Sequence, residues 1–152
     1  MKKLFIILFI STIGYSQNEI SNLITFADTL CINMTPKEQL SGIIKLKKRT
    51  IGSFGNTVYN YKEKIIKSEY TEYSENRNIK DTEYELYFQF YYRDKEPIFL
   101  KIDLKNKDKS DKEEELYLEL NKDEINDTRE IKNIFLLDLR NTIRKALALA
   151  KK

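Results

Sequence analysis

The sequence predicts an α+β domain: an antiparallel β-meander of about five to six strands, packed on one face by a long C-terminal helix and preceded by an N-terminal helix. Three observations carry this expectation. Residues 83–121 alternate apolar and polar side chains with a period of two over three successive stretches, the pattern of half-buried strands. Short charged turns separate those stretches. Residues 128–150 then change to a spacing near 3.6, with Ile131, Phe135, Leu136, Leu139, Ile143, Ala146, Leu147 and Ala150 in one arc.

The elements follow in order. MKKLFIILFISTIGYSQ joins two lysines to an apolar run over Leu4–Ile10 and then to small residues at Gly14 and Ser16. This is the form of a secretory signal peptide over 1–16, cleaved before Gln17. The run is far shorter than the roughly 20 apolar residues of a membrane span, so no stable anchor is expected after cleavage. Leu30, where a lipobox places a small residue, argues against a lipid on Cys31. Residues 17–152 are the size of one domain. Ile20, Leu23, Ile24, Ala27, Leu30 and Cys31 share a helical stripe over 18–32, and Cys31 reads there as a small apolar residue. As the single cysteine it has no partner for an intrachain disulfide.

Thr35-Pro36-Lys37-Glu38 has the form of a capping box, predicting a helical turn over 36–42 and a strand over 43–51. GSFGN at 52–56 predicts a turn. Strands are expected over 58–61 and 65–73 around Lys62-Glu63-Lys64, then a polar connection at 74–82. Further strands are expected over 83–92, 97–104 and 114–121. Arg93-Asp94-Lys95-Glu96 turns the first of these into the second, and Pro97 opens a strand where a missing N–H is tolerated. KNKDKSDKE at 105–113 is a solvated loop. The last helix is expected over 128–150, with Asp127 as its N-cap and Glu130 three positions on.

The alternation sorts the residues onto two faces. Leu86, Phe88, Phe90, Tyr92, Ile98, Leu100, Ile102, Leu104, Leu116, Leu118 and Leu120 form a core face for the C-terminal helix. The opposite face mixes Tyr87, Gln89, Tyr91, Phe99, Lys101 and Tyr117 with acidic residues. Rigid tyrosines beside hydrogen-bonding groups suit recognition of a protein, peptide or glycan, so these six are the candidate binding residues.

Composition excludes much chemistry. With no histidine the chain lacks the usual neutral-pH base, the Ser–His and Cys–His pairs and His-ligated metals. Gly42, Gly52 and Gly55 cannot build a phosphate-cradling loop. The acids over 103–115 do not fit a calcium loop and are interleaved with lysines. No cofactor, metal or catalytic residue is therefore expected. Lys2 and Lys3 supply two of the three net positive charges, which leaves little basicity for nucleic acid.

LYFQFYYRDKEPIFLKI and EEELYLELNKDEI, followed by a helix, resemble small exported proteins common in Bacteroidota that carry repeated aromatic hairpins and a C-terminal helix. The resemblance covers residues 83–150 and implies the fold and export. It departs at the first turn, where Lys95-Glu96 stands in place of Asn-Gly. The resulting expectation is an exported, periplasmic or secreted, non-catalytic binding module of the envelope. Two alternatives are a carboxylate-dependent envelope hydrolase and a carrier of a small apolar ligand lined by Phe88, Phe90 and Ile102.

Overall fold

The structure, a computed structural model, describes residues 18–106, 113–127 and 129–151, except the side chain of Glu124. The expected signal sequence and the centre of the charged loop, residues 107–112, lie outside the described residues. The chain divides into two compact units, Met1–Met34 and Thr35–Lys152. Within the first, helix α1 spans 18–31 and ends in a turn where Asn33 N–H donates to Leu30 O and Met34 N–H to Cys31 O.

The second unit is a six-stranded antiparallel sheet with strand order β1-β2-β3-β4-β5-β6. Its strands are β1 (Glu38–Leu46), β2 (Arg49–Tyr61), β3 (Lys64–Glu75), β4 (Glu83–Arg93), β5 (Glu96–Asn106) and β6 (Glu113–Glu119). Helices α2 (Lys122–Asn126) and α3 (Leu139–Ala150) follow. Each strand pairs with its neighbour in sequence, as the meander expectation required. Two hairpins turn on two residues in the left-handed region, Lys62-Glu63 (φ 48° and 63°) and Asp94-Lys95 (φ 48° and 74°). That conformation matches the strand twist but is strained for residues bearing a Cβ.

Register confirms the core face except at Ile98, which falls in the β5 bulge between Pro97 (opposite Tyr92) and Phe99 (opposite Tyr91) and lies outside the core cluster. Phe88 pairs with Tyr70 on one side and Ile102 on the other, and Ile102 with Leu116. Phe90 pairs with Leu100, and Leu100 with Leu118. Phe88, Phe90, Leu100, Ile102 and Leu104 are wholly buried, and Leu139, Ile143, Ala146 and Leu147 of α3 join them in one cluster. Tyr70 stacks on Phe54 at 6.1 Å and meets Phe88 at 5.9 Å, carrying the core onto β2.

Three expectations are corrected. The C-terminal helix is short, 12 residues from Leu139, and Asp138 is its N-cap, accepting from Asn141 N–H at 3.1 Å. Between Ile131 and Leu139 the chain is irregular: it turns at Ile134 and Phe135, where Leu136 N–H donates to Asn133 O at 3.2 Å, and the exposed Leu136 takes a left-handed φ of 54°, while Asn133, Phe135 and Leu137 point inward. Asn133 holds that course: its Oδ1 accepts from the N–H groups of Phe135 (3.2 Å) and Leu137 (3.0 Å), and its Nδ2 donates to the carbonyls of Ile131 and Leu137. Asn76, from the β3–β4 connection, donates to Phe135 O at 2.7 Å. Side-chain bonds of this kind give the backbone an alternative to helix. Asp127 caps no helix; its carboxylate takes the N–H and Nε of Arg129 at 2.8 and 2.7 Å.

The second correction is at 36–42, which begins a strand. Lys37 N–H donates to Val58 O at 2.8 Å, and Glu38 pairs with Val58, so the sheet claims the backbone that the capping box would have used. The third is at 52–56, which lies inside β2; the turn is at Lys47-Lys48. No glycine there has a positive φ. A Cβ on Gly52 would sit 2.1 Å from Tyr73 O and 2.8 Å from Ser74, so this glycine permits a close strand approach and does not make a turn.

Candidate functional site

The side chains on the face opposite α3 are fixed by the period of two, and register decides which of them meet. Lys67 of β3 stands across from Tyr91 of β4, which stands across from Phe99 of β5. One step along, Glu69, Gln89, Lys101 and Tyr117 align across four strands; one step further, Thr71, Tyr87, Asp103 and Glu115 do so. All six candidate residues therefore share one contiguous patch over β4, β5 and β6.

An aromatic row runs through the patch. The Lys67 ammonium lies 5.5 Å from the centre of the Tyr91 ring, Tyr91 is 6.1 Å from Phe99, and Phe99 is 6.2 Å from Tyr117. The Phe99 and Tyr117 planes are only 27° apart, so these rings stack on one another across the strands. Tyr117, on the outermost strand and 57% exposed, is the ring with the freest surface. Tyr91 is buried; Tyr87, Gln89, Phe99 and Lys101 are half-buried.

A polar row lies beside the rings. Lys67 pairs with Glu69 at 2.8 Å, both largely shielded from solvent. Burial, then a hydrogen bond to Glu69, pushes the Tyr87 phenol above its ordinary value. Lys101 reaches Asp103 at 3.2 Å and Glu115 at 3.5 Å. Partial burial disfavours its charge, but these carboxylates outweigh burial and raise its pKa. Tyr117 donates to Glu115 at 2.6 Å; this bond raises the phenol and, with Lys101, holds the Glu115 carboxyl below the usual range. A shallow depression of about 380 Å³ opens where Tyr87, Lys101, Asp103, Glu113 and Glu115 meet. Among the described residues no group of three or more acidic or sulfur ligands is placed to hold a metal ion.

A second polar cluster lies under α3 and was missed from the sequence. Glu72 of β3 points to the core face and is buried. Its carboxylate accepts from Tyr70 OH, from Tyr84 OH at 2.6 Å and from Lys145 Nζ of α3 at 3.3 Å. The Lys145 ammonium also lies 4.6 Å from the Phe54 ring centre and 5.4 Å from that of Tyr70. Burial, then Glu72, drives both phenols well above their ordinary value. A 290 Å³ depression with Ser74, Arg77 and Asn141 on its walls borders this cluster. Tyr70, Tyr84 and Lys145 all meet on the Glu72 carboxylate, so the arrangement fastens helix to sheet. The one sequence signal was a glutamate at an inward position of a strand.

Comparison of the chain with protein-family models, with curated proteins and with solved structures finds no match in any of the three.

Proposed function

We propose that this is an exported, non-catalytic binding module of the envelope that recognises a protein or peptide through the patch of Tyr87, Gln89, Phe99, Lys101 and Tyr117. The observation that carries the reading is the aromatic row ending in the exposed Tyr117 ring at the sheet margin. The Tyr117 ring is flanked by Lys101 and Glu115, which suits side chains of a polypeptide that bring both apolar and charged groups. Tyr91 supports the row from beneath.

The hydrolase alternative draws little support. A general acid needs a carboxyl with raised pKa. Glu115, in the acidic depression, is shifted the other way. The carrier alternative meets a packed core, since Phe88, Phe90 and Ile102 are wholly buried against their neighbours.

The test is site-specific photo-crosslinking in an exporting host. A photoreactive side chain in place of Tyr117 is expected to label a discrete polypeptide, and one in place of the exposed Lys132 is not. Adding Lys101→Glu should reduce the Tyr117 label severalfold. Equal labelling from both positions, or none from Tyr117, would overturn the reading.

A further inference from the structure

Among the described residues the sheet has two unpaired margins, β1 and β6, of different character. β6 is Glu-Glu-Glu-Leu-Tyr-Leu-Glu, with Glu113, Glu115, Tyr117 and Glu119 exposed. β1 ends in Lys45 and Leu46 and turns through Lys47 and Lys48, all exposed. β1 also presents Leu40, Ile43 and Leu46 to solvent at 44%, 57% and 43%, much for an edge strand of nine residues. Unpaired edges of this length template strand addition unless they are blunted.

We infer that the chain assembles with copies of itself, the β6 edge of one copy pairing antiparallel with the β1 edge of the next. The charges select that pairing. A β6 edge against another β6 would set glutamates against glutamates. A β1 edge against another β1, centred on Gly42, would put Lys45 across from Gln39 and form no ion pair. A β6 edge against β1 is complementary in one register that keeps core-facing residues with core-facing residues. Glu115 then stands across from Lys45 of the next copy, Tyr117 from Ile43, Leu116 from Ile44 and Leu118 from Gly42. Glu113 lies beside Lys47. Glu114 opposite Leu46 is the mismatch, and its carboxylate already accepts from Ile134 N–H at 2.8 Å. In this register Ile43 continues the row of Tyr91, Phe99 and Tyr117 into the next copy.

The topology sets the outcome. In a six-stranded meander β6 runs opposite to β1, so the incoming β1 lies antiparallel to β6 only if both copies face the same way. All the α3 helices then lie on one side. The contact is head-to-tail, each addition leaves a fresh β6 edge, and the assembly grows as a twisting ribbon without closing. This inference uses the sheet edges and sets Ile43 of the next copy beside Tyr117; because Glu115 contacts both Tyr117 and Lys101, the Lys45→Glu with Lys47→Glu variant, which leaves the recognition patch intact, is the arm that separates the two readings.

The experiment is sedimentation of the full chain, purified from an exporting host, over a concentration series. The weight-average mass should rise past that of a dimer and fall with added salt. The paired substitutions Glu113→Lys with Glu115→Lys, or Lys45→Glu with Lys47→Glu, should each weaken association about tenfold or more. Within the described residues Lys45 and Lys47 make no ion pair, so the second variant perturbs nothing inside its own copy. An equimolar mixture of the two variants should restore the large species, since each then offers the complement of the other. Restoration would also show that both variants are folded. A wild-type mass that stays monomeric or stops at a dimer, or a mixture that stays as small as its components, would overturn the inference.

Discussion

Replacing Lys145 by methionine isolates the charge that fastens α3 to the sheet, because methionine keeps the apolar stem. The ammonium is 3.3 Å from the Glu72 carboxylate, and at an effective dielectric of about 20 such a pair attracts by roughly 5 kcal/mol. Most of that is offset by lost hydration and, with the lysine side chain 43% exposed, by solvent screening, leaving about 1–2 kcal/mol. The contacts with the Phe54 and Tyr70 rings add about 0.5–1 kcal/mol. Lys145→Met is therefore expected to cost roughly 2 kcal/mol. Glu72→Gln should cost about 2–3 kcal/mol, because the amide leaves a single oxygen for two buried phenol donors and removes the counter-ion of Lys145. Urea unfolding of the two single variants and the double variant gives the coupling, expected near 1 kcal/mol. Additivity within about 0.5 kcal/mol would refute the claim that these groups act as one unit.

Three further outcomes follow from the geometry. Lys62→Asn with Glu63→Gly places the residues that tolerate the left-handed turn where φ is 48° and 63°, and should raise stability by about 0.5–1 kcal/mol in thermal melts; no gain would mean the turn is unstrained. Hydrogen bonds from the Arg129 guanidinium and then its backbone N–H hold the Asp127 carboxyl down at about 2, with Arg140 adding to the effect. Because the folded value is depressed, this contribution is present above the ordinary carboxyl range and is lost as pH falls toward 2. The Arg129 amide resonance should report that loss, and Asp127→Asn should flatten it. Burial first, with Glu72 and Glu69 adding, raises the phenols of Tyr70, Tyr84 and Tyr87, while burial takes Tyr92 to about 12 against the opposing bond from Ser68. Raised values stabilise the fold below the ordinary tyrosine range and cease to do so as pH climbs through them. Ultraviolet titration should thus show these four tyrosines ionising late, in a step that coincides with unfolding. A single transition for every tyrosine in the ordinary range would contradict the buried network.

The meander was legible where one periodicity had no competitor. In β4, β5 and β6 strict alternation placed Tyr87, Gln89, Tyr91, Phe99, Lys101 and Tyr117 on one face, and register then brought them together. Between 128 and 139 the sequence was ambiguous, because apolar residues at 131, 135 and 139 satisfy both a helical face and an alternating strand. The deciding bonds come from Asn133 and from Asn76, the latter 59 residues from the carbonyl it holds. At 36–56 a capping signal and two glycines outweighed the weaker strand pattern, and the ladder to β3 decided otherwise. Glu72 stayed invisible as a linchpin because Lys145 lies 73 residues away. Tyr91 illustrates the limit of face assignment: alternation gives its side of the sheet, but its depth depends on Lys67 and Phe99 closing around it.

The order of elements along the chain also governs how it folds as it emerges. Every strand pairs with its immediate predecessor, so loop closures are short and the sheet can grow hairpin by hairpin from the N-terminal side. The apolar face of that growing sheet is sealed by Phe135, Leu137 and α3, which follow all six strands in the chain. Until they arrive, Phe88, Phe90 and Leu100 stand in water on an otherwise complete sheet. A chain stalled or clipped near Asn126 would hold its strands and lose its cover, and it is this uncovered sheet, not the unstructured chain, that most needs a chaperone.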